Sequence, residues 1–205
     1  MALEQPLGGS ADSNVFRCVH VERNRAMAVK LLPRELISGP LGVHTFPDDV
    51  KALQELLHPN IARGYGGAMD NGQPYLVMEL VEGETLRDRI DRLGRLTWDT
   101  TVELADQICA ALKAAHDSQI VHRRLTPAHV MLAPGDQVKL VGFDCAWSDR
   151  DEVVGLRSPM EVANYLAPET FRGRASASLP TCDLFSLGVI LFECLAGELP
   201  WRGNA

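Results

Sequence analysis

Val121-His122-Arg123-Arg124-Leu125-Thr126-Pro127-Ala128-His129-Val130-Met131-Leu132 is the stretch on which the reading of this chain turns. Two adjacent arginines, two histidines and a proline sit between apolar ends. Downstream, Val138-Lys139-Leu140-Val141 reads as a short strand, with Gly142-Phe143-Asp144 directly after it. Upstream, Ala115-His116 closes a helical pattern that Thr97 can cap, in which Val102, Ala105, Ile108 and Leu112 recur every three or four residues. Further out, Pro47 to Leu57 places Val50, Leu53, Leu56 and Leu57 on one helical face. Strand-like runs cover Val15 to Val21, Ala26 to Leu32 and Tyr75 to Met78. Glu82-Gly83-Glu84 breaks the last of these, and the chain beyond residue 84 is mainly helical in pattern. Asp183 to Leu195 carries apolar groups all round the helix, a pattern that belongs in the middle of a lobe. The pattern predicts a β-rich part, a hinge and a helical part, with no internal repeats.

Residues 121–132 resemble the catalytic loop of protein kinases, H-R-D-L-K-P-x-N, whose Asp takes the substrate hydroxyl proton and whose Asn holds magnesium. Here Arg124 stands for the Asp, Thr126 for the Lys and His129 for the Asn. Ala28-Val29-Lys30 resembles the third-strand V-A-I-K element, and His58-Pro59-Asn60-Ile61 the start of the fourth strand. Tyr75 to Val81 resembles strand five running into the hinge, Ala167-Pro168-Glu169 the A-P-E element, and Asp183 to Gly188 the opening of the helix after it. In order and spacing these are most similar to the bacterial Ser/Thr protein kinases of eukaryotic type. The resemblance implies an α+β, two-lobed protein-kinase-like fold. Its β-rich N-lobe would cover residues 1–80, its hinge 79–83, and a helical C-lobe lacking its last helices 84–205.

Leu7-Gly8-Gly9-Ser10-Ala11-Asp12-Ser13-Asn14-Val15 aligns with the family's glycine-rich loop, G-x-G-x-x-G-x-V. It keeps Gly8 and Val15 but has Ser10 and Ser13 where glycines let the backbone approach phosphate, and Asp12 adds a negative charge. Lys30 in an apolar strand needs an anion. Either a nucleotide supplies it, or Lys30 pairs with Asp49, at the position of the family's helix Glu, or with Asp144. By the same resemblance adenine would sit against Val15, Ala28 and Met131, with Met78 at the back and Glu79 and Val81 at the hinge. Any ATP binding is expected to be weak.

Magnesium is not expected to bind. Gly142-Phe143-Asp144 is the metal-binding D-F-G with its ends exchanged. A shift of two residues in an extended chain moves a side chain by roughly 6 to 7 Å, far outside the ~2.1 Å that magnesium requires. His129 replaces the second ligand, and one imidazole makes no site. Val162 stands where Ser/Thr kinases carry the Thr that holds the catalytic Asp and Lys, so three members of one hydrogen-bonded unit have changed together. The reading is a cytoplasmic pseudokinase that binds a protein partner. The runner-up is a divergent active Ser/Thr kinase using Asp144 as a substitute metal ligand.

The scaffold positions persist. Phe143, His122 and Leu53 match the family's apolar stack, with Gly64 leaving a gap at the fourth-strand position. Asp183 matches the residue that braces the catalytic loop. Arg123 matches the arginine that receives a phosphorylated segment, with Ser148 and Ser158 as the candidate hydroxyls; two solvated arginines are the alternative. A composition of 46% hydrophobic and 23% charged residues is that of a globular chain, and a net charge of −7 excludes a basic nucleic-acid footprint. Five cysteines without C-x-x-C spacing read as buried reduced thiols. Met1 to Pro6 reads as no signal peptide, and no stretch within residues 1–205 is apolar enough to span a bilayer. The helix from Asp183 is expected to leave apolar surface for further helices or a partner to cover.

Overall fold

The computed structural model describes residues 2–7, 14–20, 25–32, 34, 42–143, 160–172 and 179–201. The chain divides into two compact units, one made of Met1–His58 and Ala62–Val81, the other of Pro59–Ile61 and Glu82–Ala205.

The first unit is a five-stranded antiparallel sheet in the order β1-β2-β3-β5-β4, with one helix. Its strands are β1 (Ala2–Pro6), β2 (Val15–His20), β3 (Arg25–Leu31), β4 (Gly64–Asp70) and β5 (Gln73–Glu79). Alternation sends Met27 and Val29 of β3 into a core with Cys18 and Val77, and turns Ala28 and Lys30 to the opposite face. Helix α1 (Gly42–Glu55) begins five residues before the apolar spacing indicates and carries Pro47 inside it. It buries Val50, but Leu57 lies beyond its end and is 62% exposed, so the predicted apolar face holds only in part. Residue pattern alone does not mark β4 as a strand, because three of its seven residues are glycine, which lowers strand propensity, and only the resemblance placed a fourth strand here. One of them is required sterically: a β-carbon on Gly67 would stand 2.8 Å from Tyr75 O and 2.9 Å from Val50 Cγ2.

The second unit is mainly helical, with a small sheet of which the sequence reading anticipates only the strand at 138–141. Strand β6 (Glu84–Thr85) pairs with β7 (Val130–Ala133), which pairs with β8 (Gln137–Leu140). Thr85 and Asp88 close a capping box that starts helix α2 (Leu86–Leu93): each backbone N–H donates to the other's side chain, both at 3.0 Å. Helix α3 (Trp98–Asp117) starts at Thr97 as expected, with Thr100 N donating to Thr97 Oγ1 at 3.3 Å. Its buried stripe is Thr101, Leu104, Ile108, Ala111, Leu112 and Ala115. Val102, placed on that stripe from spacing alone, is 38% exposed. A helical turn, α4 (Met160–Ala163), precedes helix α5 (Pro180–Ala196).

Helix α5 buries Leu187, Val189, Ile190 and Cys194, yet leaves Leu184 and Phe192 53% and 45% exposed on one stripe with Gly188. Pro59–Ile61 belongs to this unit and does not open β4, as the resemblance had suggested. The backbone O of Asn60 accepts from Leu140 N at 2.8 Å, its side chain donates to Gln107 Oε1 and Val138 O at 3.0 Å each, and Ile61 bridges to Leu140. Cys18, Cys182 and Cys194 are buried thiols, whereas Cys109 is exposed, contrary to expectation. Among the described residues no helix is long and apolar enough to cross a membrane.

Candidate active site

The loop from Val121 to Thr126 is suspended from one buried carboxylate on α5. Asp183, fully buried, accepts from His122 N at 2.8 Å through Oδ2 and from Arg123 N at 2.7 Å through Oδ1. His116 Nε2, at the end of α3, donates to the same Oδ2 at 2.7 Å. The bond to Arg123 matters because that residue has φ +67, a left-handed conformation that costs an L-residue roughly 1 to 2 kcal/mol. Charge-assisted bonds of about 1.5 to 3 kcal/mol each offset that strain. The expected brace at Asp183 is therefore present as geometry.

Past the loop, Pro127–His129 forms a 3-10 turn that leads into β7. Thr126 is buried, and its Oγ1 lies 3.0 Å from His129 Nδ1. The replacements for the family's Lys and Asn thus bond to each other. His129 O accepts from Val141 N at 3.0 Å, which brings the strand β8 exit alongside. There Gly142 has φ +93, and a β-carbon on it would lie 2.6 Å from His129 Cδ2. The imidazole occupies the volume that a side chain at position 142 would need.

His122 Nε2 donates to Val141 O at 2.9 Å, which fixes its proton on that nitrogen. Its ring packs edge-on against Phe143 at 4.8 Å between centroids and against His129 at 5.3 Å. Arg124 is half-buried, and no described carboxylate meets it. Val162 lies in α4, where its carbonyl accepts from Tyr165 N at 3.0 Å.

In the first unit, register places several predicted nucleotide contacts together. Val15 pairs with Lys30 and Ala28 with Met78, so these four share one face of the sheet. Glu79 N donates to Arg63 O at 2.8 Å, and its carboxylate accepts from Arg63 N at 3.0 Å, which ties the end of β5 to the start of β4. Asp49 is half-buried on α1, and Val81 is half-buried at the end of this unit. Gly64 leaves no gap, contrary to the sequence reading. A β-carbon there would meet Leu53 O at 3.0 Å and Leu53 Cβ at 3.3 Å, so Leu53 itself closes the position. Met131, on β7 in the second unit, pairs with Thr85 of β6 and Lys139 of β8. Gly8, Asp144, Ser148 and Ser158 lie outside the described residues.

One buried network was missed from sequence. Arg87 on α2 donates to both oxygens of Glu193 on α5 at 2.8 Å and to Tyr165 Oη at 2.5 Å, while Tyr165 donates to Glu193 at 2.5 Å. Burial, then the bond to Glu193, push the Tyr165 phenol up from its ordinary value. Ser186 Oγ donates to Tyr165 O at 2.7 Å, so the segment before Pro168-Glu169 is anchored to α5 at two points. The only sequence signal was a Glu among apolar residues of a helix.

The family model for the protein kinase domain matches residues 1–205. Serine/threonine-protein kinase PknA of Mycobacterium tuberculosis is 33% identical over 208 residues, covering 98% of this chain and 48% of the relative. PknB of Mycobacterium leprae is 31% identical over 208 residues, covering 97% of this chain and 32% of the relative. PrkC of Bacillus subtilis is 29% identical over 200 residues, covering 97% and 31%. The chain belongs to the protein kinase family, and its relatives there are bacterial Ser/Thr kinases. It spans about half the length of the PknA relative and about a third of the other two.

Proposed function

We propose that this kinase domain is a pseudokinase that acts by binding a protein partner, takes up ATP weakly and transfers no phosphate. The observation that carries the reading is the contact between His129 and Gly142, with a β-carbon on the glycine only 2.6 Å from the ring. Magnesium asks for oxygen donors at ~2.1 Å in octahedral array. At these two positions the chain offers an imidazole already bonded to Thr126 and a residue without a side chain, and neither fits that ion. No step is therefore assigned to a metal.

ATP is a better fit than its ion. Val15, Ala28 and Met78 offer an apolar sheet face, and Lys30 on the same face offers a cation to its phosphates. When bound, the nucleotide would bring the γ-phosphoryl group, but the group at position 124 is a guanidinium, which cannot accept the proton of an attacking hydroxyl. Loss of a general base alone costs about 10²- to 10⁴-fold. From the ~1 to 100 s⁻¹ of a working kinase, little remains. The retained parts are those that hold the loop: Asp183, His122 and Phe143.

The test is radiolabel transfer from ATP to the chain itself and to generic protein substrates, with Lys30→Ala as control. No incorporation above that control is expected. Incorporation that disappears in Lys30→Ala would overturn the reading.

A further inference from the structure

We propose that a cleft beside Tyr65, in the first unit, binds a small organic anion with an apolar body and a carboxylate or phosphate head. The cleft has a volume of about 520 Å³, within the roughly 300 to 1,000 Å³ of small-molecule sites. Two guanidinium groups flank one ring at its edge. Arg25 lies 4.8 Å from the Tyr65 centroid and donates to its hydroxyl at 2.5 Å, and Arg63 lies 5.9 Å from the same centroid. Among the described residues neither guanidinium meets a carboxylate. Among the described residues the lining contains no Asp or Glu, in a chain that carries 27 of them against 20 Lys and Arg. Both side chains converge on the same ring, and an oxyanion bound beside it would be attracted to both guanidinium groups.

The rest of the lining sets the body of the ligand. Met27, Tyr75 and Val77 supply an apolar floor. The bond from Arg25 to the Tyr65 hydroxyl holds that guanidinium in place before any ligand arrives, which reduces the ordering cost of binding a carboxylate or phosphate. The cleft lies on the opposite face of the sheet from the predicted nucleotide contacts Val15, Ala28, Lys30 and Met78, while Glu79, paired with Met27, is on the cleft's own face. Met27 and Val77 alternate with Ala28 and Met78 along β3 and β5, so they project from the opposite face of the sheet to Lys30.

The experiment is amide NMR on the uniformly labelled full chain, titrated with phenyl phosphate, phenylacetate and, as the neutral comparison, benzyl alcohol. Saturable shifts at the Tyr65, Gly66 and Gly67 amides are expected with at least one anion and not with the alcohol. Arg25→Gln with Arg63→Gln should weaken that binding at least about tenfold. Should the double glutamine variant misfold, Arg25→Lys with Arg63→Lys, which keeps charge without the fork, takes its place and should weaken binding measurably. The proposal is overturned by no saturable shift with either anion, by equal binding of benzyl alcohol, or by unchanged affinity in the folded double variant.

Discussion

His129 and Gly142 are fitted to each other: the ring of the first stands where the side chain of the second would begin, at 2.6 Å from a built β-carbon. Each change on its own would remove one of the family's metal ligands. Together they also make the return costly, because restoring a carboxylate at 142 demands that the ring at 129 leave. Thr126 holds the ring by its Nδ1, so the move is resisted from the other side as well.

Gly142→Asp should therefore destabilise the domain by about 2 to 4 kcal/mol, from overpacking against the ring and from the positive φ. Adding His129→Asn should recover about 1 to 3 kcal/mol of that loss. Urea unfolding of the three variants measures both. A Gly142→Asp protein as stable as the parent would show that the ring yields freely, and the fit described above would be wrong.

Asp183→Asn is expected to cost roughly 3 to 5 kcal/mol, because a buried acceptor of three bonds becomes an amide with one acceptor atom and two hydrogens facing donors. The loss should be local as well as global. Hydrogen exchange at the amides of His122 and Arg123 should rise more than at Ile108, deep in α3. Uniform acceleration at all three would mean that Asp183 supports the whole unit and not the loop in particular.

Alkaline pH should weaken the second unit through two groups that burial keeps protonated. The Cys194 thiol, buried beside Glu193, is pushed up to about 12 from an ordinary 9.0, and Tyr165 is raised from 10.0 by burial and by Glu193. Both folded values lie above the unfolded ones, so the folded state binds more protons in between. The contribution of Cys194 is fully present below pH 9 and is lost as pH rises through about 12, and that of Tyr165 is fully present below 10.0 and is lost above it, by at most about 1.4 kcal/mol per pH unit for each group. Unfolding curves from pH 8 to 11 should fall accordingly. Tyr165→Phe with Cys194→Ala should flatten the slope, and an unchanged slope would assign the loss to other groups.

Much of the architecture was legible because it rests on local rules. Thr97 could be read as a cap from its neighbours, whereas Asp183 was placed under the loop only by the family resemblance. What escaped depends on distant partners. Val102 was set on the buried stripe by spacing, but Thr101 and Leu104 take that side, where α3 packs against β8 and α5. Strand β4 hides behind glycines that α1 and β5 require. Asn60 looked like the entrance to a strand until Gln107 and Val138 claimed its side chain. Arg87 could not be matched to Tyr165 and Glu193 across 78 and 106 residues of chain. At the site, the identities at 124, 126, 129 and 142 were plain in the sequence. Their mutual fit was not, since nothing in the order of residues says that an imidazole and a missing side chain share one volume.

The proposed loss of the metal site is tested most directly by isothermal calorimetry of the 205-residue chain with ATP, in the presence and in the absence of magnesium. The predicted result is weak binding of equal strength in both conditions, because Lys30 and the sheet face act on the nucleotide while positions 129 and 142 offer the ion nothing. A gain in affinity of about tenfold or more on adding magnesium would contradict this. It would mean that another carboxylate has taken over the ion, with Asp144 the first to be substituted.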